Sequence, residues 1–179
     1  DLALDFVKAH AEIPVVLDPV LVCKEIHDVE VSALRDELIK FFPYASIITP
    51  NLPEAELLAQ KELRTLEDVK EAAKLLHSLG AKSVVIKGGN RLDAQKAIDV
   101  FYDGEQFLKV EGGLIDTRWT HGAGCTTAAA IAAGLGIGLE PYEAVRRAKK
   151  FITLSLQNGF QLNKWVGPGN PAAWRKSFN

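Results

Sequence analysis

One segment of the chain crowds glycine, a thiol and hydroxyl residues together: Asp116-Thr117-Arg118-Trp119-Thr120-His121-Gly122-Ala123-Gly124-Cys125-Thr126-Thr127. Two glycines let the backbone bend and turn its N–H groups toward one point. The run opens into a small-residue helix, whose N-terminus adds a partial positive charge. Gly122, Ala123 and Gly124 could thereby cradle an anion, most naturally a phosphoryl group in transfer. The same three residues also suit an ordinary glycine-rich turn before a packed helix. Cys125 sits at that helix N-terminus, where the thiolate is favoured. It could take the proton from a substrate hydroxyl during phosphoryl transfer. A free cysteine is more often a small buried hydrophobe, and the anion-binding context is what favours the base.

Three other loops carry polar residues at the ends of apolar runs. Asp18-Pro19 follows Val15-Val16-Leu17, Thr49-Pro50-Asn51-Leu52-Pro53-Glu54 follows Ser46-Ile47-Ile48, and Lys87-Gly88-Gly89-Asn90 follows Ser83 to Ile86. In open α/β sheets ligands bind beyond the carboxyl ends of the strands, so parallel strands would bring these loops to one edge. Asp18 and Glu54 are candidates to hold Mg²⁺, which takes one or two carboxylates plus substrate phosphates. Glu54 equally suits a solvated first helical turn. Lys87 leaves a buried strand, where lysine is rare without an anionic partner; a phosphate would be one.

Other chemically capable residues read as structural. His121 reads as a loop-ordering residue, and His10, His27 and His77 as surface residues without ligand spacing. Arg146-Arg147-Lys149-Lys150 reads as a solvated helix face, and Trp119, Trp165 and Trp174 as packing residues. Neither a G-x-x-x-x-G-K-[ST] loop nor a G-x-G-x-x-G fingerprint is present, so no nucleotide reading rests on those motifs.

The elements that must position these residues follow from periodicity. Strands are expected at Val15–Leu17, Ser46–Ile48 and Ser83–Ile86. Ile98, Val100 and Tyr102 alternate up to Asp103-Gly104, a hairpin signal, with a return strand through Phe107, Leu108 and Val110. Helical spacing appears at Val31, Leu34, Leu38 and Phe41, and at Leu66, Val69, Ala73 and Leu76 behind the cap Thr65. A small-residue helix is expected from near Gly124 to about Leu135. A last helix starts at Pro141, a favoured first position, and ends at Gly159. Alternating strands and helices mean an α/β fold with a largely parallel sheet and an antiparallel hairpin at its edge.

Composition narrows the class. The 179 residues are 47% hydrophobic and 25% charged, as in a globular domain with a real core. A net charge of −2 leaves no electrostatic footprint for nucleic acid or an anionic membrane. No apolar run reaches the ~18 residues of a membrane span. The two cysteines, Cys23 and Cys125, make neither a metal pair nor a disulfide framework. A cytoplasmic location is the default expectation. Leu2, Leu4, Phe6 and Val7 read as the end of a helix already under way, so residues 1–179 are expected to be a piece of a longer product or its ordered part.

Asp18-Pro19-Val20, Thr49-Pro50-Asn51 with Glu54, Lys87-Gly88-Gly89 and Gly122-Ala123-Gly124-Cys125 resemble, in order and spacing, the hydroxymethylpyrimidine (phosphate) kinases of the ribokinase superfamily. Val22-Cys23-Lys24, Thr120-His121 and Leu162-Asn163-Lys164-Trp165-Val166-Gly167-Pro168 look like the related Gram-positive pyridoxal kinases. The resemblance implies a ribokinase-like three-layer α/β/α fold, of which 1–179 would be the C-terminal part, with the first strands lying before Asp1. It implies ATP and Mg²⁺, with Asn51, Lys87, Gly88, Gly89, Asn90 and Gly124 near the nucleotide and Val100 packed near its base. It implies Cys125 as the base, where sugar kinases of the superfamily carry Asp. The acceptor would be the hydroxymethyl group of pyridoxal or pyridoxine, or alternatively of hydroxymethylpyrimidine or its phosphate, and the assembly a homodimer. Cys23 would sit in a lid over the substrate and could add reversibly to the aldehyde of pyridoxal. A non-catalytic vitamin- or nucleotide-binding module is the reading from another class.

Overall fold

The computed structural model describes residues 2–21 and 28–176. Helix α1 (Leu2–Ala9) precedes the short strand β1 (Val16–Leu17), and α2 (Asp28–Ile39) leads to β2 (Ile47–Ile48). Two helices, α3 (Leu52–Ala59) and α4 (Leu66–Ser78), come before β3 (Val84–Lys87). The hairpin β4 (Lys96–Tyr102) and β5 (Phe107–Gly113) follows, then α5 (Ala123–Gly136), α6 (Pro141–Gln157) and the short α7 (Ala173–Lys176). Cys23, with Val22 and Lys24, lies outside the described residues.

The sheet has the order β1-β2-β3-β4-β5. β1, β2 and β3 are parallel, while β3–β4 and β4–β5 are antiparallel. Four strands therefore run one way and β4 alone is reversed. The hairpin expected at Asp103-Gly104 forms there, with Gly104 at φ +98° and the Asp103 carboxylate accepting from the Glu105 and Gln106 amides.

Strand periodicity sorts the side chains onto two faces. Ile48, Val84, Ile86, Val100 and Tyr102 pack against α3 and α4 with Leu58, Val69, Ala73 and Leu76. Ile47, Val85, Phe101 and Val110 face the other way, onto Ile131 of α5 and Ala144, Val145 and Ala148 of α6. The result is the expected three-layer α/β/α architecture. Leu34 and Leu38 of α2 join the first cluster, and Arg35 reaches past them to donate to the carbonyls of Leu57 and Leu58 at 2.9–3.2 Å. Those carbonyls lie in the last turn of α3, where helix geometry leaves them without intrahelical donors.

The helix boundaries follow their caps. Thr65 forms a capping box with Asp68, and Pro141 opens α6. Helix α3 is anticipated in the sequence only through Glu54 as a possible first-turn residue. Its signal was present as Asn51-x-x-Glu54: the Asn51 side chain accepts from the Glu54 amide at 2.9 Å, and Glu54 accepts from the Asn51 amide at 2.8 Å. Trp165 departs from its packing assignment. It is 78% exposed, with Lys164 over its ring at 4.4 Å.

Candidate active site

The polar residues at the carboxyl ends of β1, β2 and β3 keep the parity of those strands. Val16, Ile47 and Val85 lie on the α5/α6 face. Asp18, Thr49 and Lys87, each two positions further on, therefore turn to that same face. There they bond to one another. Asp18 Oδ1 accepts from Thr49 Oγ1 and from Lys87 Nζ, both at 2.8 Å. Each member of the Lys87–Asp18 ion pair is only 16% exposed. Lys87 thus has a carboxylate partner within the protein itself.

Helix α5 begins directly above this pair. Gly122 is its N-cap at φ +77°, a left-handed conformation that costs glycine little, and it has no side chain to cap the helix. The first-turn amides are left without intrahelical acceptors. The helix starts at Ala123, one residue earlier than its composition suggested. A Cβ added to Gly124 would lie 3.5 Å from Lys87 Nζ and 3.9 Å from Asp18 Oδ2. The absent side chain therefore leaves space between an ammonium and a helix N-terminus, an arrangement that stabilises negative charge.

A cavity of about 570 Å³ opens beside this point. Asn51, Lys87, Gly88, Gly89, Asn90 and Gly124 line it, so six residues assigned to a nucleotide come together on one wall. The loop order explains how. Lys87 N donates to Pro50 O at 2.8 Å, tying the Asn51 loop to the end of β3. Gly88 N donates to Ile98 O at 3.1 Å, and a Cβ on Gly88 would collide with that carbonyl and with Leu92. The Gly88 position therefore admits only glycine if the hairpin is to dock. Ala97, Leu114, Ile115, Ile152 and Leu156 give the cavity an apolar wall, as a nucleobase would need.

Other assigned residues lie elsewhere. Val100 is 1% exposed and belongs to the α3/α4 core. Asp99 and Ala97, on the opposite face of β4, line the cavity instead. Cys125 is exposed at the first turn of α5 and is not part of the cavity wall. It stands beside the glycine that is, which suits a group meeting an acceptor from the opposite side. Glu54 is not a solvated first-turn residue: it is 4% exposed. Burial pushes its carboxyl above the ordinary range, against the opposing pull of the Asn51 N–H and the Lys87 ammonium. The backbone amide of His121 donates to Gly167 O at 3.3 Å and ties its loop to the Gly167 segment.

Two residues of the site escaped sequence reasoning. Asp99 and Lys149 form a buried ion pair at 2.7 Å, with side chains 9% exposed, and both line the cavity. Lys149 belongs to the basic run Arg146-Arg147-Lys149-Lys150, which suggests a solvated face. It lies four residues after Val145 and one after Ala148, within the apolar stripe, and that spacing was the available signal.

The donor set is compatible with Mg²⁺. Among the described residues no three His, Cys, Asp or Glu side chains come together. An ion here would draw on Asp18 and Glu54 and take its remaining ligands from phosphate and water, as Mg²⁺ does. Among the described residues no helix is long and apolar enough to cross a membrane.

Fold and site together define an α/β protein with a cavity at the carboxyl end of a mainly parallel sheet. The chain belongs to the phosphomethylpyrimidine kinase family, whose profile matches residues 2–170. It is 47% identical to the pyridoxine kinase of Bacillus subtilis (strain 168) over 98% of this chain and 65% of that protein. Its fold is similar to that of the Bacillus subtilis pyridoxal kinase seen in an ADP complex, with a TM-score of 0.85 and 44% identity over 96% of this chain and 68% of that one. It is also similar to the Staphylococcus aureus pyridoxal kinase in complex with AMP-PCP and pyridoxal, with a TM-score of 0.84 and 36% identity over 97% and 65%. The chain thus spans about two thirds of the length of these relatives.

Proposed function

We propose that this chain carries the phosphate-transfer machinery of an ATP-dependent kinase acting on the hydroxymethyl group of pyridoxal or pyridoxine. The observation that carries the reading is the Lys87–Asp18 pair beneath the missing side chain of Gly124, at the start of α5 and at the mouth of the cavity. The similarity to pyridoxine and pyridoxal kinases supports the vitamin B6 acceptor over the pyrimidine that the family description suggests.

In this reading the base of ATP rests against the apolar wall, and its phosphates extend over Gly88, Gly89 and Asn90 toward Lys87. The acceptor hydroxyl oxygen attacks the γ-phosphorus. The bond from that phosphorus to the β–γ bridging oxygen breaks, and ADP leaves with the electron pair. Cys125 accepts the hydroxyl proton. The first-turn amides of Gly124 and Cys125 and the Lys87 ammonium stabilise the equatorial oxygens, the effect that dominates such reactions, while the Ala123 amide is held by Thr120 O at 3.1 Å. Mg²⁺, held from Asp18 and Glu54, would neutralise phosphate charge when bound. Cys23 remains the candidate for reversible addition to the pyridoxal aldehyde, and a homodimer is the assembly that accompanies the reading.

The test is transfer of labelled γ-phosphate by the full-length protein to pyridoxal, pyridoxine and hydroxymethylpyrimidine. Transfer to pyridoxal or pyridoxine is the expected result. Transfer to hydroxymethylpyrimidine alone would move the acceptor to the pyrimidine. Nucleotide binding without transfer to any of them would overturn the kinase reading.

A further inference from the structure

Lys87 and Asp99 stand directly opposite each other in the β3–β4 register. Opposed residues of an antiparallel pair project to the same face, with Cβ atoms about 5 Å apart. An ammonium on a four-carbon stem spans that distance. Asp99 is therefore a competing carboxylate for Lys87, one strand away from Asp18. Yet Lys87 reaches to Asp18, across β2, at 2.8 Å. Asp99 is taken by Lys149, at 2.7 Å. The four charges alternate along one sheet face in the order Asp18, Lys87, Asp99, Lys149.

We propose that Lys149 is a positioning residue for the phosphate site: by occupying Asp99 it leaves Lys87 to Asp18, beneath Gly124. The local packing holds Lys149 in place. A Cβ on Gly112 would lie 3.0 Å from Lys149 Cε, so that glycine lets α6 approach β5 and bring the ammonium over the strand. Phe101, on the same face as Asp99, packs its ring 5.5 Å from that of Tyr142 and fixes α6 from the other side. Without Lys149, the buried Asp99 carboxylate lacks a cation, and leaving such a charge unpaired is strongly unfavourable. Lys87, directly opposite on β3, is placed to replace it. Its transfer to Asp99 would empty the place where the proposed function needs a positive charge. The inference rests on that function for its consequence, but the exchange of partners is a property of the protein alone.

The experiment has two readouts in the full-length protein. The first is the crystal structure of Lys149→Met, in which Lys87 Nζ is expected against Asp99. Lys87 still on Asp18 in that variant would overturn the proposal, whether or not the protein is a kinase. The second is turnover. Both Lys149→Met and Asp99→Asn break the pair and both should lower thermal stability, but only the first leaves a carboxylate to capture Lys87. Lys149→Met is expected to lose at least about tenfold more kcat than Asp99→Asn, the scale of displacing one preorganised charge. Equal losses would mean a merely structural pair and overturn the proposal. The double variant Asp99→Asn/Lys149→Met removes both charges and guards against a folding defect. It is expected to return Lys87 to Asp18 and to recover kcat relative to Lys149→Met. If the unaltered protein transfers no phosphate, the kinase reading fails while the crystallographic comparison still decides the partner of Lys87.

Discussion

Lys87 Nζ and Asp18 Oδ1 meet at 2.8 Å across the width of β2, joining the carboxyl ends of two strands that are not neighbours in the sheet. The pair holds the ammonium at the first turn of α5, and Thr49 Oγ1 fixes the carboxylate from the strand between. The two charges are largely withdrawn from water, so their attraction is screened less than that of a surface pair. Such a fixed charge needs little reorganisation when phosphate charge develops beside it.

Gly124→Ala separates the site from the fold. The added Cβ meets Lys87 Nζ and Asp18 Oδ2 at ordinary contact distances, and alanine is the better helix former by up to about 1 kcal/mol. Stability should therefore be unchanged or raised. The methyl group would occupy the space assigned to a phosphoryl group, so turnover should fall by about 100-fold. Parallel thermal unfolding and phosphate-transfer assays check both halves.

Cys125→Ala should lower kcat by about 100-fold or more, the usual contribution of a general base, with little change in nucleotide affinity. Cys125 is exposed and lies outside the cavity wall, so its loss costs no packing. A titration of ATP binding beside the turnover assay would show whether the effect is confined to chemistry.

Glu54 links the site to pH. Burial raises its pKa above 4.5 in the folded protein, so between 4.5 and the higher folded value the native state holds more protons than the unfolded one. Stability from this group therefore falls as pH rises through that window and stays lower above it. Glu54→Gln keeps an acceptor for the Asn51 amide while removing the buried charge. Urea unfolding at several pH values should show the variant no less stable than the parent near neutrality, with this pH dependence removed. Its phosphate transfer should require more Mg²⁺.

Arg35→Ala should destabilise the fold without touching the site. The guanidinium donates three bonds to Leu57 O and Leu58 O, and hydrogen bonds made by charged groups contribute about 2 kcal/mol. Denaturant unfolding should show a loss of that order, with turnover per folded molecule unaltered.

Much of this protein was determined by sequence alone, because its signals are local. Apolar runs closed by Asp18, Thr49 and Lys87 marked the strands and their functional ends, the Asp103-Gly104 turn marked the hairpin, and Thr65 and Pro141 marked helix starts. The glycines at 122 and 124 marked the first turn of α5: Gly122 takes the left-handed backbone of the cap, and Gly124 leaves the space beside Lys87 open. What the tertiary structure decided is which charges meet. The partner of Lys87 is 69 residues away and that of Lys149 is 50 residues away, and no periodicity within one element reports such a distance. Strand pairing put Asp99 opposite Lys87, helix packing drew Lys149 out of a basic surface cluster, and burial took Glu54 from solvent. Val100 shows the same limit at the scale of one residue: alternation made it apolar and buried, but only the stacking of helices on both sides decided which face of the sheet it served.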